Sequence, residues 1–301
     1  QQVRVILHES IFDQATTAGR HCGAEAEKLI HALLRSSTAY IYLTAYDQAL
    51  ERCEALREAA RQAHRPADEA KGWKSTGQVR DAQRRFEEAL AAYEQALNCL
   101  ESGAFPALRG LVLKNWGCID FECGRHVQAA TRWQESLRLL QDSAPEEMAG
   151  VLNNLAVLEI VRGRQEEAWS LYERVLALEG PGGRDAILAL WNMGMLRADQ
   201  ERWDEALDLY KQSLEKSRQM CYLAYQPSLE LNMAEALLGK GDLAGARRVC
   251  SSALRWYRRL DDALGVADAS RLYGRLCRLE ENWEDSSVYL ERSVQINRQF
   301  G

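Results

Sequence analysis

The sequence predicts an all-α protein, a right-handed superhelical solenoid of antiparallel helix pairs, and three observations carry this prediction. Of the 301 residues, 47% are hydrophobic and 27% are charged, which is the composition of a globular chain with a sizeable core. Only five are proline, whereas the helix-favouring residues Ala, Leu, Glu and Arg are abundant. One residue pattern also returns every 38–40 residues, and a period of this size indicates stacked helical hairpins.

Each copy of the pattern is centred on a small anchor residue. The anchors are Ala49, Ala89, Ala129, Ala168, Ala206 and Ala246, with Ser286 as a degenerate seventh copy. An aromatic residue or a cysteine usually follows the anchor by four positions. Twelve positions before each anchor the residue is always small: Ser37, Gly77, Gly117, Ala156, Gly194, Ala234 and Gly274. We expect this small residue to let the two helices of a pair approach closely, with the anchor on the facing helix.

The predicted turns lie a few residues before each anchor. Val151–Gly180 is interpreted as two helices separated by a turn at residues 162–164, where Gly163 has the place of a helix C-cap. Gly124 and Gly241 have the same place in other copies. Proline is tolerated at the start of a helix but not in its interior. The five prolines all fall between one helix pair and the next: Pro66, Pro106, Pro145, Pro181 and Pro227.

The spacing of small residue, alanine and aromatic residue resembles that of the tetratricopeptide repeat (TPR). Trp73 and Gly77, in the segment WKSTG, also keep the Trp-x3-Gly spacing of its first helix. The resemblance covers about residues 30 to 300. The long repeats are similar to the kinesin light chain type and to the TPR arms of bacterial regulators. This resemblance implies a scaffold of stacked helix pairs that binds protein partners.

The domain organisation expected from these repeats is a single solenoid. Residues 30–301 form the predicted array of seven helix pairs, and residues 1–29 are expected to form a partial or capping repeat. The segment FDQA at residues 12–15 echoes YDQA at residues 46–49. The half-repeat and the missing initiator methionine lead us to expect that the chain is excised from a longer protein.

Asparagine recurs at one position of the predicted first helices. If the small residue of each first helix is numbered 8, positions 2, 5, 6, 9, 12 and 13 share one face, which we expect to line the concave wall. Position 6 is asparagine in four consecutive repeats: Asn115, Asn154, Asn192 and Asn232. A carboxamide donates and accepts hydrogen bonds, so it can pair with the backbone of an extended peptide. Alternatively, each asparagine bonds to a neighbouring helix and sets the stacking.

Other side chains on this face are also candidates for partner binding. Lys74, Lys114, Arg271 and Arg275 form a basic patch near each end of the array. Trp191 and Met195 are apolar candidates, because large apolar side chains often anchor a guest. The alternatives are that the two apolar residues pack between adjacent first helices and that the arginines are only solvated. The resemblance to TPR domains that clamp the free carboxylate of a partner does not extend to the clamp itself, because this sequence has Gly150 and Asn154 where those domains have further basic residues.

Several function classes are disfavoured by the sequence. The net charge of −6 gives no electrostatic case for direct nucleic-acid binding, and no apolar run of 18 residues indicates a membrane span. No phosphate-binding glycine loop, nucleophile elbow or His-Glu-x-x-His appears, so we expect no enzyme and no cofactor. The eight cysteines show no paired spacing. We therefore expect them to be reduced thiols and the protein to be cytoplasmic. Cys118, Cys123 and His126 lack the spacing of a zinc site, so no metal is expected.

The function that the sequence favours is recognition of a protein or an extended peptide in the concave groove. We expect the chain to be the interaction or sensor module of a larger signalling or regulatory protein, including the sensing arm of a transcription regulator. One alternative is a regulatory arm fused to an enzyme such as a protease or an ATPase. The other alternative is a structural scaffold that binds through its convex face or its ends.

Overall fold

The computed structural model describes residues 23–100, 104–179 and 183–300, and these residues form α-helices joined by short turns. The prediction of an all-α chain is confirmed. The helices of the described residues are α1 (Gly23–Tyr42), α2 (Tyr46–Gln62), α3 (Pro66–Ala82), α4 (Phe86–Asn98), α5 (Pro106–Glu122), α6 (His126–Gln141), α7 (Met148–Val161), α8 (Gln165–Glu179), α9 (Arg184–Asp199), α10 (Trp203–Gln219), α11 (Gln226–Gly239), α12 (Leu243–Arg259), α13 (Ala263–Leu279) and α14 (Trp283–Phe300). Two 3-10 turns, Pro145–Glu147 and Leu223–Tyr225, precede α7 and α11.

The chain divides into two compact units, the N unit, Gln1–Asn154, and the C unit, Leu155–Gly301. In the N unit the helix pairs α1/α2, α3/α4 and α5/α6 form hairpins, and in the C unit α9/α10, α11/α12 and α13/α14 do so. Within each unit the second helix of a hairpin also packs on the first helix of the next. The partial repeat expected over residues 1–29 lies mostly outside the described residues. One continuous array over residues 30–301 stays a prediction.

The anchor pattern forms the interior of the hairpins. Every anchor residue is at most 4% exposed. Tyr93 and Tyr210, each four residues after its anchor, are also buried. A methyl group placed on Gly77 would come 2.3 Å from Cε1 of Tyr93, and one on Gly194 would come 2.5 Å from Cε1 of Tyr210. The small residue therefore makes room for the aromatic ring. The anchor lies on the facing helix, as expected: the ring is the nearest neighbour of Gly77 and of Gly194, whereas the Gly274 carbonyl accepts a hydrogen bond from Oγ of the anchor Ser286 at 2.9 Å.

The turn within each hairpin has one recurring backbone feature. The residue five positions before every anchor has a positive φ: Thr44, Arg84, Gly124, Gly163, Glu201, Gly241 and Glu281. The three glycines predicted as C-caps are confirmed, with φ of 72°, 75° and 88°. The four other residues adopt the same left-handed conformation at a cost of about 1 kcal/mol each. The second helix then begins two residues later in every hairpin.

The turn glycines provide a first testable prediction. Gly163→Ala is expected to lower the free energy of unfolding by about 1 kcal/mol, because a Cβ strains the left-handed backbone although no atom lies within 4 Å of its place. Glu201→Gly at the equivalent turn is expected to change stability by less than about 0.5 kcal/mol, since relief of strain is offset by the greater freedom of the unfolded chain. Urea denaturation of both variants measures the difference. Equal losses would contradict the assignment of strain.

Candidate functional site

The four asparagines at position 6 lie on four first helices, α5, α7, α9 and α11, and each residue is half buried. In the N unit the Asn115 amide interacts with the Tyr93 hydroxyl of the preceding hairpin. In the C unit Asn192 and Asn232 interact in the same way with the two tyrosines that follow the preceding anchors, Tyr172 and Tyr210. Three of the four asparagines thus join consecutive hairpins. This geometry supports the alternative in which asparagine sets the stacking.

The tyrosine–asparagine contacts do not fully satisfy the hydroxyls of two of the tyrosines. The hydroxyls of Tyr93 and Tyr172 are buried and have no hydrogen-bond partner of standard geometry within the described residues, although an asparagine amide interacts with each of them. Burial raises the pKa of both tyrosines above the usual range, and the neighbouring amide lowers it only in part. A buried hydroxyl without a well-aligned partner costs stability, so these two contacts hold the hairpins together less strongly than a full hydrogen bond would.

Asn154 departs from this arrangement. Its Nδ2 donates to Sγ of Cys118 at 3.2 Å. The preceding hairpin has Trp133 in place of tyrosine, and its Nε1 donates to the Lys114 carbonyl at 3.0 Å. An indole nitrogen has no lone pair to accept a hydrogen bond from an amide. Asn154 therefore bonds to another neighbour.

Two open pockets lie on the faces that carry these asparagines. The N-unit pocket has a volume of about 440 Å³ and is lined by Ile41, Gln78, Asp81, Ala82, Arg84, Tyr93, Asn115, Cys118 and Glu122. The C-unit pocket has a volume of about 550 Å³ and is lined by Met195, Ala198, Asp199, Trp203, Tyr210, Asn232, Glu235, Ala236, Leu238, Gly239, Arg275 and Leu279. Each pocket therefore contains one complete tyrosine–asparagine pair.

The two pockets occupy the same register in their units. Each is lined by positions 9, 12 and 13 of one first helix and by positions 6, 9 and 13 of the next first helix. Tyr93 and Asn115 in the N unit correspond to Tyr210 and Asn232 in the C unit. The structure thus brings together Asn115 in one pocket and Met195, Asn232 and Arg275 in the other, among the residues singled out from the sequence.

Other predicted site residues lie outside the pockets. The ring of Trp191 is half buried and meets the Tyr225 ring edge-on, with centroids 6.2 Å apart. Trp191 also borders the apolar cluster that contains Tyr210 and Leu229. It therefore packs within the C unit, as the alternative interpretation proposed. Met195 is 44% exposed, in contrast, and its side chain is accessible to a guest.

The predicted basic residues have different surroundings. Burial, and then the charge of Lys114, lowers the pKa of Lys74. Lys114 itself pairs with Glu147 at 3.3 Å. Arg271 lies 3.6 Å from Glu235, and only the exposed Arg275 reaches a pocket. Lys74 and Lys114 thus lie near each other in the N unit, and Arg271 and Arg275 both lie on α13 of the C unit, so the two predicted basic patches stay a prediction.

The comparisons with known proteins identify the repeat. A family model described as tetratricopeptide repeat matches residues 147–219 and 225–299. The chain is a TPR protein. This family is defined by its repeated helix pairs rather than by a reaction, and the TPR fold predicted from the anchor spacing is confirmed. No curated protein matches the chain.

Solved structures with the same TPR fold are distant in sequence. BtubC (BKLC) from P. vanneervenii has 17% identity and a TM-score of 0.59, over 77% of this chain and 92% of that chain. The Rap conjugation gene regulator of plasmid pLS20, solved with the Phr* peptide, has 12% identity and a TM-score of 0.66, over 93% of this chain and 78% of that chain. A signal transduction ATPase with a TPR sensor from Pyrococcus horikoshii has 10% identity and a TM-score of 0.70, over 91% and 43%.

The two TPR pockets differ in their charges. In the N-unit pocket, burial and the nearby Glu122 raise the pKa of Asp81 to about 6, whereas Arg84 lowers it. Arg84 pairs with Glu122, and its guanidinium lies 4.9 Å from the centroid of the Phe86 ring. This pocket thus holds two carboxylates and one cation. Asp81 is at position 12, on the face expected to line the concave wall, but its role could not be predicted because the pocket forms only when three first helices pack side by side.

The C-unit pocket is more apolar than the N-unit pocket, and its charges are more nearly balanced. Met195, Leu238 and Leu279 line it beside the edge of Trp203. Its two acidic side chains, Asp199 and Glu235, are accompanied by Arg275, and Arg271 pairs with Glu235. This composition suits an apolar side chain of a guest, flanked by polar contacts.

The described part of the TPR chain contains neither a cluster of metal ligands nor a helix that could span a membrane. No group of three or more His, Cys, Asp or Glu side chains there could hold a metal ion. His126 stacks on the Phe121 ring, with centroids 5.3 Å apart, instead of facing a cysteine pair. The seven cysteines of the described residues are free thiols. Among those same residues no helix is long and apolar enough to cross a membrane.

The raised pKa of Asp81 gives a second prediction. Its folded pKa of about 6 lies above its ordinary value of 3.8, so the folded state binds the proton more tightly, and the resulting stability is lost as pH rises from about 4 to above 6. Two pKa units correspond to about 3 kcal/mol for a fully buried group. Solvent screening of this half-buried carboxylate reduces that to about 1 kcal/mol.

Asp81→Asn is therefore expected to raise the free energy of unfolding by about 1 kcal/mol at pH 7.5 and by much less at pH 4.5. Urea denaturation at the two pH values tests this. A destabilised Asp81→Asn variant at pH 7.5 would show that the ionised carboxylate is favourably bound in the fold.

Proposed function

We propose that this TPR chain is a non-catalytic interaction module of the cytoplasm that binds a peptide, or an extended segment of a protein, on its first-helix faces. The observation that carries the proposal is the recurrence of one pocket design. Each unit has an open pocket of about 440 to 550 Å³ at the same helix positions, with a tyrosine–asparagine pair in its wall. Packing alone requires the pair but not an open space beside it.

The chemistry of the pockets fits an extended guest. The carboxamides of Asn115 and Asn232 each retain capacity beyond the tyrosine contact, because an amide has two donors and an acceptor with two lone pairs. A peptide backbone that crosses the pocket offers the complementary groups at regular spacing. Met195 supplies an exposed apolar contact in the C unit. Large apolar side chains next to polar groups are typical of residues that dominate binding energy.

Solved structures of similar fold support peptide binding as a use of the TPR fold. The Rap regulator of pLS20 was solved with the Phr* peptide, and a second Rap protein was solved with the Competence and Sporulation Factor. The Pyrococcus horikoshii ATPase carries its TPR unit as a sensor. We propose by analogy that this chain is the sensor or interaction module of a larger signalling or regulatory protein. Free cysteines support a reducing compartment.

A peptide selection followed by matched variants tests the proposal. Twelve-residue peptides are selected from a random phage-displayed library on the wild-type chain, and their Kd values are measured by fluorescence anisotropy. Met195→Glu changes the C-unit pocket, and Ala82→Trp fills the N-unit pocket from its exposed rim. Val288→Glu on α14 and Gln95→Trp on α4 are the matched controls, because both residues are exposed on second helices.

We expect each selected peptide to lose at least tenfold in affinity with Met195→Glu or with Ala82→Trp, and to bind both controls as it binds the wild type. Thermal melts establish that all four variants are folded. Loss of binding with the controls but not with the pocket variants would instead assign recognition to the second-helix surface, as in the convex-scaffold alternative. An unproductive selection would also count against the proposal.

A further inference from the structure

Among the described residues, the N-unit pocket holds one carboxylate that forms no ion pair, although the charge of Arg84 acts on it. Of its two acidic side chains, Glu122 pairs with Arg84, but Asp81 has no ion pair among the described residues. Asp81 is half buried at position 12 of α3, where the pocket wall shields it from bulk water. A half-buried anion without a partner is costly, so the pocket is electrostatically prepared for a cation.

The rest of the pocket wall supplies what a long cationic side chain requires. Tyr93 forms a fully buried part of the pocket wall, so the guest meets the side chains in front of it rather than its hydroxyl. The side chains of Gln78 and Asn115 add amide oxygens that can accept from a cation. Ile41 contributes apolar surface for an aliphatic stem. Acceptors and apolar surface therefore converge on the same space.

Arg84 is the one cation among the residues that line the N-unit pocket, and it lies at the rim. Its side chain is 72% exposed, yet it reaches Glu122 at the rim. A guest arginine or lysine that enters beside it meets Asp81, which Arg84 leaves unpaired. Arg84 thus competes with the guest for Glu122 at the rim, but it forms no ion pair with Asp81.

We propose that the N-unit pocket binds a lysine or arginine side chain of the guest, with the Asp81 carboxylate as its ion-pair partner. This inference rests on the proposed peptide-binding function and adds the chemical class of one guest residue. The C-unit pocket, which has two arginines near its carboxylates, takes an apolar residue of the guest. The two units thereby bind different side chains of the guest in pockets that occupy the same helix positions.

Binding of the cation is expected to depend on pH. Asp81 faces Glu122, Arg84, Cys118 and Tyr93, and its pKa of about 6 results mainly from burial, then from Glu122. Burial raises the pKa of the Cys118 thiol to about 11, so this thiol stays neutral. Below pH 6 the protonated Asp81 can no longer pair with a cation. The affinity therefore falls as pH falls, by about tenfold between pH 7.5 and pH 5.0.

The test uses N-acetylated versions of the selected peptides, so that a terminal amine cannot serve as the cation. Those that respond to Ala82→Trp are resynthesised with each lysine or arginine replaced in turn by norleucine. Their Kd values are measured on the wild type, on Asp81→Asn and on the control Glu94→Gln, which removes an exposed carboxylate on α4. Arg84→Ala removes the competing cation.

We expect one norleucine replacement to cost at least tenfold in affinity on the wild type and on Glu94→Gln, and less than twofold on Asp81→Asn. Arg84→Ala is expected to strengthen binding several-fold, and Asp81→Asn to abolish the loss of affinity at pH 5.0. Peptides that respond to Ala82→Trp without needing any cation would overturn this inference and leave the proposed function intact. Selection of peptides that respond only to Met195→Glu would overturn it too. Insensitivity to both pocket variants would instead refute the proposed function.

Discussion

Trp133→Ala is expected to lower the free energy of unfolding by about 4 kcal/mol, the largest single effect in the N unit. Trp133 is 1% exposed and lies between α5 and α6. Its ring fills the space opposite Gly117, where an added methyl group would come 2.5 Å from Nε1, and its centroid is 5.9 Å from that of Phe121. Truncation leaves a cavity that the helices cannot close. It also removes the hydrogen bond from Nε1 to the Lys114 carbonyl.

Urea denaturation followed by circular dichroism measures this loss. Trp283→Ala is the matched control, because Trp283 begins α14, is 64% exposed and should cost less than about 1 kcal/mol. A loss for Trp133→Ala no larger than that for Trp283→Ala would mean that the indole does not hold the α5/α6 hairpin together.

The second large effect is expected when a larger side chain replaces a buried glycine. Gly194→Val should lower the free energy of unfolding by about 3 kcal/mol, because its Cβ would come 2.5 Å from Cε1 and 2.7 Å from Cδ1 of the buried Tyr210 ring. The ring can move only by separating α9 from α10. That movement would also disturb its contact with Asn232 and one wall of the C-unit pocket.

The control for Gly194→Val is Met195→Val, which places the same β-branched residue one position later on exposed surface and should cost less than about 1 kcal/mol. A double variant adds a further check. In Gly194→Val/Tyr210→Ala the clash is gone, so the double variant should be more stable than the sum of the two single losses predicts. Strict additivity would show that the two residues do not meet.

The hairpin repeat was predictable because its packing rule operates over short sequence distances. A small residue and an aromatic residue sixteen positions later, such as Gly77 and Tyr93, must face each other across one turn. The same period located every turn. It did not reveal that Arg84 and Glu201 adopt a positive φ, because many residue types occupy a single left-handed position when the surrounding helices impose it.

The partners of the asparagines were less predictable, although the sequence contains a usable pattern. Asparagine at position 6 meets tyrosine where the preceding hairpin has tyrosine four residues after its anchor, as with Asn115 and Tyr93. Where that residue is Trp133, Asn154 turns to Cys118. Helical periodicity alone cannot indicate such a pairing, because it crosses from one hairpin to the next.

The pockets themselves could not be derived from sequence. Each needs three first helices at correct distances, so the roles of Asp81 and Glu122 emerged only with the structure. Trp191 was recognised in the sequence, but its surroundings could not be predicted. Its helix position allowed either a guest contact or packing, and only the structure showed that its ring meets that of Tyr225, which precedes α11.

Site-specific photo-crosslinking tests the central claim most directly. A benzophenone amino acid is placed in turn at residues 82 and 195, in the pocket walls, and at residues 95 and 288, on second helices. After irradiation with the selected peptides, mass spectrometry locates each covalent product. The account predicts crosslinks from residue 82 or 195 and none from residues 95 and 288. Crosslinks confined to residues 95 and 288 would contradict it.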